Sequence, residues 1–372
     1  MAGVSGMDGS DVDAIVDLWQ RAFERDPAAS RAKVRAYFVD LFCDGPLVAA
    51  DLPSLVARND AGRITGFLGV LCRRMVHEGV SIRAAVATQL IAEPGPRNAF
   101  VPFQLLRRFL AGPQDLSLSD GANDLSERIW GRLGGQAARL YSMEWQRTLR
   151  PVESLAGRLA VRAGAPPWLG ALVAPALEVI DSATARVRRM TPHGTRVPVP
   201  VPHQDATAAE LCDCLLRSGQ SLALRPDLEV QTLEWVLRKT AESRRFGELR
   251  RVEVTDDAGS AVGCAVFFAE DGNVAQVLAL GALAGHEARV VERTLHQAYA
   301  CGATEARGQL DPQLTQALSD AGCRFVQHNL GVLVHSRRPG VLEAIHRGDA
   351  RLSRLDGEWW SRLGIDRRLP DW

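Results

Sequence analysis

Apolar residues recur along the first part of the chain with spacings that predict an ordered series of helices and strands. Apolar positions three and four residues apart indicate helices, whereas apolar and β-branched runs that end at turn residues indicate strands. We expect helices at Asp11–Phe23, Arg31–Phe42, Phe100–Leu110 and Asn123–Leu133, and strands at Ser54–Arg58, Ile64–Val76, Ser81–Glu93, Leu116–Leu118 and Arg139–Thr148.

The second part of the chain repeats this order of predicted elements. The turn Asp60-Ala61-Gly62 lies between two predicted hairpin strands, and Asp257-Ala258-Gly259 lies at the corresponding point of the second part. The same element order and the shared turn predict two copies of one fold. The second set comprises helices at Asp205–Arg217, Pro226–Ser243, Gly285–Cys301 and Asp311–Ala321, and strands at Arg250–Thr255, Ala261–Ala269, Asn273–Ala282, Thr304–Gln309 and Arg324–His335.

The segment between the two parts has a different character. Helical patterns at Leu155–Ala163 and Leu169–Arg189 are followed by Pro192–Pro202, in which alternating proline favours an extended, stiff chain. We therefore expect an N-terminal domain at residues 1–150, a helical and proline-rich linker at 151–203, a C-terminal domain at 204–340 and a helical, tryptophan-rich tail at 341–372.

Composition narrows the possible partners. The 372 residues carry 44 basic and 44 acidic side chains, so the formal net charge is zero. A neutral chain exerts no general attraction on nucleic acids or anionic membranes, so we expect neither DNA nor a membrane as a partner. A possible homodimer is compatible with this composition.

The seven cysteines are dispersed and form no CxxC pair, which argues against a disulfide framework and a zinc site, so no metal is expected. The N-terminus lacks a basic segment followed by an apolar one, as a signal peptide would have, and no apolar run reaches the length that spans a membrane. A cytoplasmic location is the resulting expectation.

Two stretches resemble motifs of the GNAT family of N-acyltransferases. Ala92–Pro102 reads AEPGPRNAFVP, where that family has a strand ending in V-x-P-x-x-R-G-x-G-x-G, and Asn123–Gly134 reads NDLSERIWGRLG, similar to N-x-x-A-x-x-L-Y-E-K-L-G. The glycine loop of the family opens a helix and holds the pyrophosphate of acetyl-CoA with backbone N–H groups. The resemblance implies an α+β fold with two tandem GNAT-like domains, each a mixed, mostly antiparallel twisted sheet flanked by helices.

The chain departs from the family pattern at the positions that carry its chemistry. Pro94 and Arg97 match the loop motif, but its three glycines are replaced by other residues, among them Phe100 and Pro102. Trp130 stands where the family often has a general-acid tyrosine. Since proline has no N–H group, a donor bound here would depend on the Arg97 side chain.

The resemblance implies a donor site in the first domain. The residues expected to contact the acyl-CoA are Ile91, Ala92, Arg97, Asn98, Ala99, Phe100, Val101 and Asn123. The second domain has the loop Gly281–His286 at this point and no equivalent arginine.

Three side chains are candidates for the chemistry. Glu93 ends the central strand, where several members of the family have a carboxylate base. Asp120 follows the next strand and could instead cap the helix at Asn123, and Tyr141 could act as an acid or belong to the core.

The function expected from this resemblance is transfer of an acyl group from acetyl-CoA or another acyl-CoA to an amine of a small molecule. Two alternatives stay open. Tandem GNAT-like domains without the glycine loop also resemble the aminoacyl-tRNA-dependent transferases of the Fem type, which carry basic surfaces for tRNA. Loss of both glycine loops also fits a non-catalytic binding protein of the same fold.

Overall fold

A computed structural model of the chain describes residues 3–23, 31–151, 205–327 and 331–362. The predicted linker segments Leu155–Ala163, Leu169–Arg189 and Pro192–Pro202 lie outside the described residues. The strands are β1 (Gly3–Gly6), β2 (Leu55–Arg58), β3 (Ile64–His77), β4 (Val80–Ala92), β5 (Leu116–Ala122), β6 (Gln136–Ala137), β7 (Met143–Thr148), β8 (Leu224–Pro226), β9 (Glu248–Thr255), β10 (Ala261–Ala269), β11 (Val274–Ala282), β12 (Glu305–Gln309), β13 (Arg324–Gln327) and β14 (Gly331–Ser336). The α-helices are α1 (Val12–Ala22), α2 (Arg31–Phe42), α3 (Val101–Leu110), α4 (Asp124–Arg132), α5 (Ala208–Ser218), α6 (Val230–Ala241), α7 (Glu287–Ala300), α8 (Thr315–Asp320), α9 (Val341–His346) and α10 (Trp359–Arg362).

The described residues pack into two compact units, each with its own sheet. The first unit takes residues from 1–142, 220–243 and 328–372, and the second takes residues from 143–219 and 244–327. The first sheet has the strand order β1-β2-β3-β4-β5-β14-β6, with β8 paired to β3, and only the β4–β5 pair is parallel. The sheet is therefore mixed and mostly antiparallel.

Helices cover both faces of the first sheet. On one face α3 buries Val101, Leu105 and Phe109 among apolar strand residues, and its close approach requires glycine at position 66, because a Cβ there would overlap the Val101 side chain. On the other face Phe38 of α2 packs edge-on against Phe67 of β3, with ring centroids 5.4 Å apart. These contacts hold the central strands between two apolar layers.

The second sheet has the order β13-β7-β12-β11-β10-β9, and its parallel pair is β11–β12. Helix α7 connects these two strands and packs Val290, Val291 and Leu295 against apolar residues of the sheet, Trp145 among them. Each sheet thus contains a parallel pair joined by a helix, as a β-α-β connection requires. The predicted α+β class with two mostly antiparallel sheets flanked by helices is confirmed.

Two of the predicted strands lie in a different sheet from the one expected from their position in the sequence. The strand predicted at Arg139–Thr148 forms as β7, but it lies in the second sheet between β12 and β13. The single strand predicted at Arg324–His335 is two strands, and β14 lies in the first sheet between β5 and β6. Apolar periodicity indicates that a segment is a strand without specifying which strand it pairs with.

The predicted domain boundaries and the internal duplication stay predictions. If β14 in the first sheet is equated with β7 in the second, both sheets have the same strand order from their hairpin to their last strand. β7 thus lies in the second sheet and β14 in the first, and we call this the exchange of β7 and β14. Because of it, residues 143–148 pack in the second unit, although they precede the expected boundary at residue 150.

Candidate functional site

The parallel strands β4 and β5 are hydrogen-bonded at one end and separate at the other. Their pairing ends at Val86 and Leu118, although β4 continues to Ala92 and β5 to Ala122. A bulge between β3 and β4, where Gln89 has a φ of 50°, bends β4 just beyond the last pair. The separation opens a gap at the carboxyl ends of the two strands, where sheets of this kind bind ligands.

One side of the gap leads to the N-terminus of α3. The connecting loop turns at Gly95, whose φ of 131° favours glycine, and no side chain caps the helix. The first N–H groups of α3, with their partial positive charge, are therefore left for solvent or a ligand.

The residues predicted to contact a donor divide into exposed and buried ones. Arg97 is exposed and makes no hydrogen bond or ion pair with another described residue, and Phe100 is 75% exposed. Ile91 and Val101 are buried in the apolar core, so only their backbone could reach a ligand. The others are exposed or half-buried, and comprise Ala92, Asn98, Ala99 and Asn123.

Glu93 lies at the start of this loop, and both oxygens of its carboxylate accept hydrogen bonds. Its carboxylate accepts from Arg21 at 3.1 Å, from Arg63 at 2.7 Å and from the Asn98 amide at 3.4 Å. Through these contacts Glu93 connects the loop to Arg21 of α1 and to Arg63, which precedes β3.

The opposite side of the gap is formed by Asp120 of β5 and Glu358 of the C-terminal segment. Glu358 donates its backbone N–H to Asp120 Oδ1 at 2.5 Å. Its own carboxylate accepts from Ser119 Oγ at 2.7 Å and from the Gly121 N–H at 3.1 Å. Asp120 Oδ2 is buried and has no hydrogen-bond partner among the described residues.

Burial, with the negative charge of Glu358 adding to it, raises the pKa of Asp120 to about 7, while the Glu358 N–H and the guanidinium groups of Arg354 and Arg362 act in the opposite direction. A carboxyl group with a pKa near neutrality can both accept and return a proton at physiological pH.

The C-terminal segment Leu355–Arg362 is held on this face of the sheet by several further contacts. Ser361 Oγ lies 3.2 Å from Thr88 Oγ1 of β4, and Arg73 of β3 donates to the Leu355 carbonyl at 2.5 Å. The Trp360 ring packs edge-on against Trp235 of α6, with centroids 5.7 Å apart. The segment therefore forms the wall of the gap on the side opposite α3.

Two other predicted residues have structural contacts. Tyr141 is buried, and its hydroxyl donates to the Ala350 carbonyl at 2.7 Å. Asn123 caps α4, because its side chain accepts the Ser126 N–H at 3.0 Å. Asp120 is not that cap, so of the three predicted catalytic side chains it alone lies at the gap without a full set of partners.

The described residues contain no cluster of three or more His, Cys, Asp or Glu side chains able to hold a metal ion. Within the same residues no helix combines the length and the apolar character needed to cross a membrane.

Comparison with known proteins is informative at the level of structure. No family model matches the sequence, and no curated protein matches it. A probable N-acyltransferase of unknown function from Enterococcus faecalis superimposes on 90% of this chain and 73% of its own, with a TM-score of 0.56 at 12% identity. The chain has the GNAT fold.

Two further structures support the GNAT assignment. A GCN5-related N-acetyltransferase from Kribbella flavida matches 90% of this chain and 72% of its own, with a TM-score of 0.54 and 14% identity. Another from Anabaena variabilis matches 90% and 73%, with a TM-score of 0.56 and 10% identity. The predicted resemblance is confirmed for the fold.

The second sheet also contains a parallel pair joined by a helix, but the N-terminus of this helix differs from that of α3. β11 and β12 pair from Val274 to Val277 on β11, and β11 continues beyond this region to Ala282. At the start of α7 the Gly285 N–H donates to the Glu287 carboxylate at 3.1 Å. A carboxylate of the protein itself therefore accepts a backbone N–H at the start of this helix.

Glu358 and Arg73 were not among the predicted site residues. Glu358 lies in a short, irregular C-terminal segment, far in sequence from the motifs that indicate a GNAT fold. The neighbouring Trp359 and Trp360 were the only feature of the sequence here that could have indicated its position. Two adjacent tryptophans in a tail indicate that the tail packs against the folded protein.

Proposed function

We propose that the chain is an N-acyltransferase that uses an acyl-CoA donor and acylates an amine of a small molecule at the gap between β4 and β5. The observation that carries this proposal is the carboxyl pair Asp120 and Glu358 at the end of a gap that opens where the strands separate. The names of the structural relatives support it, since three proteins of the same fold are described as acyltransferases.

The donor would enter from the side of α3. Its phosphates would meet the free N-terminus of that helix and the exposed guanidinium of Arg97, which can bind phosphate through two hydrogen bonds. Pro102 removes one N–H donor from the first turn, so the Arg97 contact carries more of the interaction than in a glycine-rich loop. The pantetheine arm would then lie along β4, with the thioester at the bulge.

The reaction needs a proton acceptor and a polarised carbonyl. The amine nitrogen attacks the thioester carbon, the N–C bond forms, the C–S bond breaks and CoA leaves as a thiolate. Asp120 would accept the amine proton, directly or through a water molecule, and return it to the thiolate. The bulge at Gln89 leaves a backbone group of β4 outside its ladder, and an N–H there is the candidate to polarise the carbonyl.

A thiol-release assay tests the proposal. The full chain is incubated with short acyl-CoAs and a panel of primary amines, and free CoA is measured with a thiol reagent. We expect amine-dependent release, and a loss on the order of 100- to 10,000-fold in Asp120→Asn, because general-base catalysis contributes about that much.

The pH profile of the same assay separates Asp120 from a structural role. The acid limb of kcat/KM should lie near the pKa of Asp120, and Glu358→Gln should move it to lower pH, because the Glu358 charge raises that pKa. CoA binding without turnover of any amine would instead favour the non-catalytic binding protein. No CoA binding at all would favour the aminoacyl-tRNA-dependent alternative, whose basic surface the neutral net charge argues against.

A further inference from the structure

A cavity of about 90 Å³ lies in the first unit, on the face of the sheet that carries the C-terminal segment. Residues of β3, β4 and β5 supply its floor. The rest of its lining comes from the loop after α2, from residues 226–233 at the start of α6, and from residues 352 and 356. Its lining includes the apolar residues Leu47, Met75, Val86, Leu118, Leu233 and Leu352 and the charged residues Arg73, Arg74, Asp227, Glu229 and Asp356.

The cavity begins where the gap begins. Val86 and Leu118 line it, and they are the last residues at which β4 and β5 are paired. The next residues on the same strand faces are Thr88 and Asp120, about 7 Å further along each strand. The inner end of the cavity therefore adjoins the start of the gap.

The charged residues of the lining include two arginines of β3, which differ in exposure. Arg74 is exposed and forms ion pairs with Asp227 and Glu229 at 2.7 and 2.6 Å. Arg73 is buried, and burial lowers the pKa of its guanidinium, while the nearby charges of Asp356 and Asp120 act in the opposite direction. The Arg73 Nε has no hydrogen-bond partner within the described residues.

We propose that this cavity receives the end of the acyl group and that the preferred donor carries a short aliphatic acyl chain rather than acetyl. This inference rests on the proposed function, since it specifies the donor of the same site. It deepens that proposal because neither the fold nor the names of the relatives specify the acyl group of this chain.

The volume of the cavity limits the number of carbons in the acyl group that it can hold. An apolar cavity of about 150 Å³ takes a benzene ring, so one of about 90 Å³ holds roughly three to four carbons. Isobutyryl and isovaleryl groups place three and four carbons beyond the thioester carbonyl. An acetyl group places one there and leaves most of the apolar lining without contacts.

Binding of CoA thioesters tests the proposal without an acceptor. Calorimetry with acetyl-, isobutyryl-, isovaleryl-, octanoyl- and succinyl-CoA on the full chain gives a Kd for each. Each buried methylene tightens binding by about fourfold, so isovaleryl-CoA should bind on the order of tenfold or more tightly than acetyl-CoA. Octanoyl-CoA should lose this advantage, because its chain is longer than the cavity.

Two variants change the cavity in opposite directions. Ala84→Leu places three more carbons in the lining and should bring the ratio of acetyl- to isovaleryl-CoA Kd close to one. Leu233→Ala enlarges the cavity from the side of α6 and should move the preference towards longer chains. Ala258→Leu, on an exposed turn of the second unit, is the matched control and should leave the ratio as in the wild type.

The outcomes separate this inference from the proposed function. Equal affinity for acetyl- and isovaleryl-CoA in a wild type that binds CoA would overturn the acyl cavity and leave the acyltransferase proposal intact. Tighter binding of succinyl- than of isovaleryl-CoA would also overturn it, since the end of the chain would then meet the Arg73 guanidinium. A wild type that binds no CoA thioester would overturn both.

Discussion

At the scale of single residues, the site depends on which partners a few charged side chains have. Arg97 is an exposed cation without a partner among the described residues, and Asp120 is a buried carboxyl with one free oxygen. Glu93 shows the contrast, because two arginines neutralise it. The sequence indicated all three positions through the family resemblance but could not distinguish them, since their partners come from distant parts of the chain.

Arg97 should carry much of the donor affinity. A charge-assisted contact contributes roughly 1.5–3 kcal/mol, so Arg97→Ala should weaken CoA binding on the order of 10- to 150-fold. Arg107→Ala, at the other end of α3 and also exposed, is the matched control and should bind normally. Calorimetry with CoA measures both, and equal affinities in the two variants would contradict the assignment.

Phe100 stands where the family has glycine and is 75% exposed. If the ring only hinders the approach of phosphate to the helix N-terminus, Phe100→Gly should leave CoA affinity unchanged or improve it. A marked loss of affinity in the same calorimetric experiment would show that the ring contacts the donor.

The raised pKa of Asp120 has a consequence for stability. Its pKa is about 7 in the folded protein against 3.8 for the free side chain, so the folded state holds this proton more tightly. Stability therefore falls as the pH rises from about 4 to 7, and it changes little with this group above pH 7. The ionised Asp120 costs the folded protein on the order of a few kcal/mol.

Asp120→Asn removes this cost while preserving the shape of the side chain. The variant should be more stable than the wild type at pH 8, and its advantage should shrink steadily between pH 7 and pH 5. Chemical denaturation at a series of pH values measures the difference. An advantage that does not vary with pH would show that Asp120 is not protonated near neutrality.

At the scale of elements, the site combines regular strands with an irregular segment. The bounds of β3, β4 and α3 lie within one or two residues of the predictions, because their apolar periodicity is strong. The segment Leu355–Arg362 has no such periodicity and is held by polar contacts and by the absence of side chains at Gly121 and Gly357. Contacts of this kind are specified by the folded structure and leave little trace in a local pattern.

A substitution at Gly357 tests how closely this segment must approach β5. A Cβ at this position would overlap the Asp120 carboxylate, so Gly357→Ala should displace the segment and cost on the order of 1–3 kcal/mol. Gly131 of α4 is the matched control, because a Cβ there meets nothing within 4 Å. Gly131→Ala should stabilise the chain by roughly 0.5–1 kcal/mol, since alanine is the better helix former. Thermal unfolding of both variants checks the opposite signs.

At the scale of the whole molecule, the sequence predicted two sheets but did not predict which strands belong to each of them. The order of helices and strands, the hairpin turns and the family motifs predicted two mostly antiparallel sheets. The exchange of β7 and β14 is invisible to such reasoning, because both strands have the apolar spacing that suits either sheet. A linear division of the sequence therefore assigns each of these strands to the sheet formed by its neighbours in the chain.

The exchange predicts that the chain cannot be divided at residue 150 into independently folding parts. In a fragment of residues 1–150, β5 would lose its pairing with β14, which joins Leu116 to Ser336 and Leu118 to Val334. β5 would become an edge strand, and its buried residues Leu116 and Leu118 would be exposed. This fragment should therefore aggregate or unfold without a cooperative transition.

Co-expression with residues 151–372 should rescue the fragment. The second fragment supplies β14 to the first sheet and receives β7 between β12 and β13, so both sheets regain their hydrogen bonds. We expect the two fragments to co-purify and to unfold in one cooperative transition, as followed by circular dichroism. Cooperative unfolding of residues 1–150 alone would show that the first sheet does not need the exchanged strand, and it would support the linear domain boundary at residue 150.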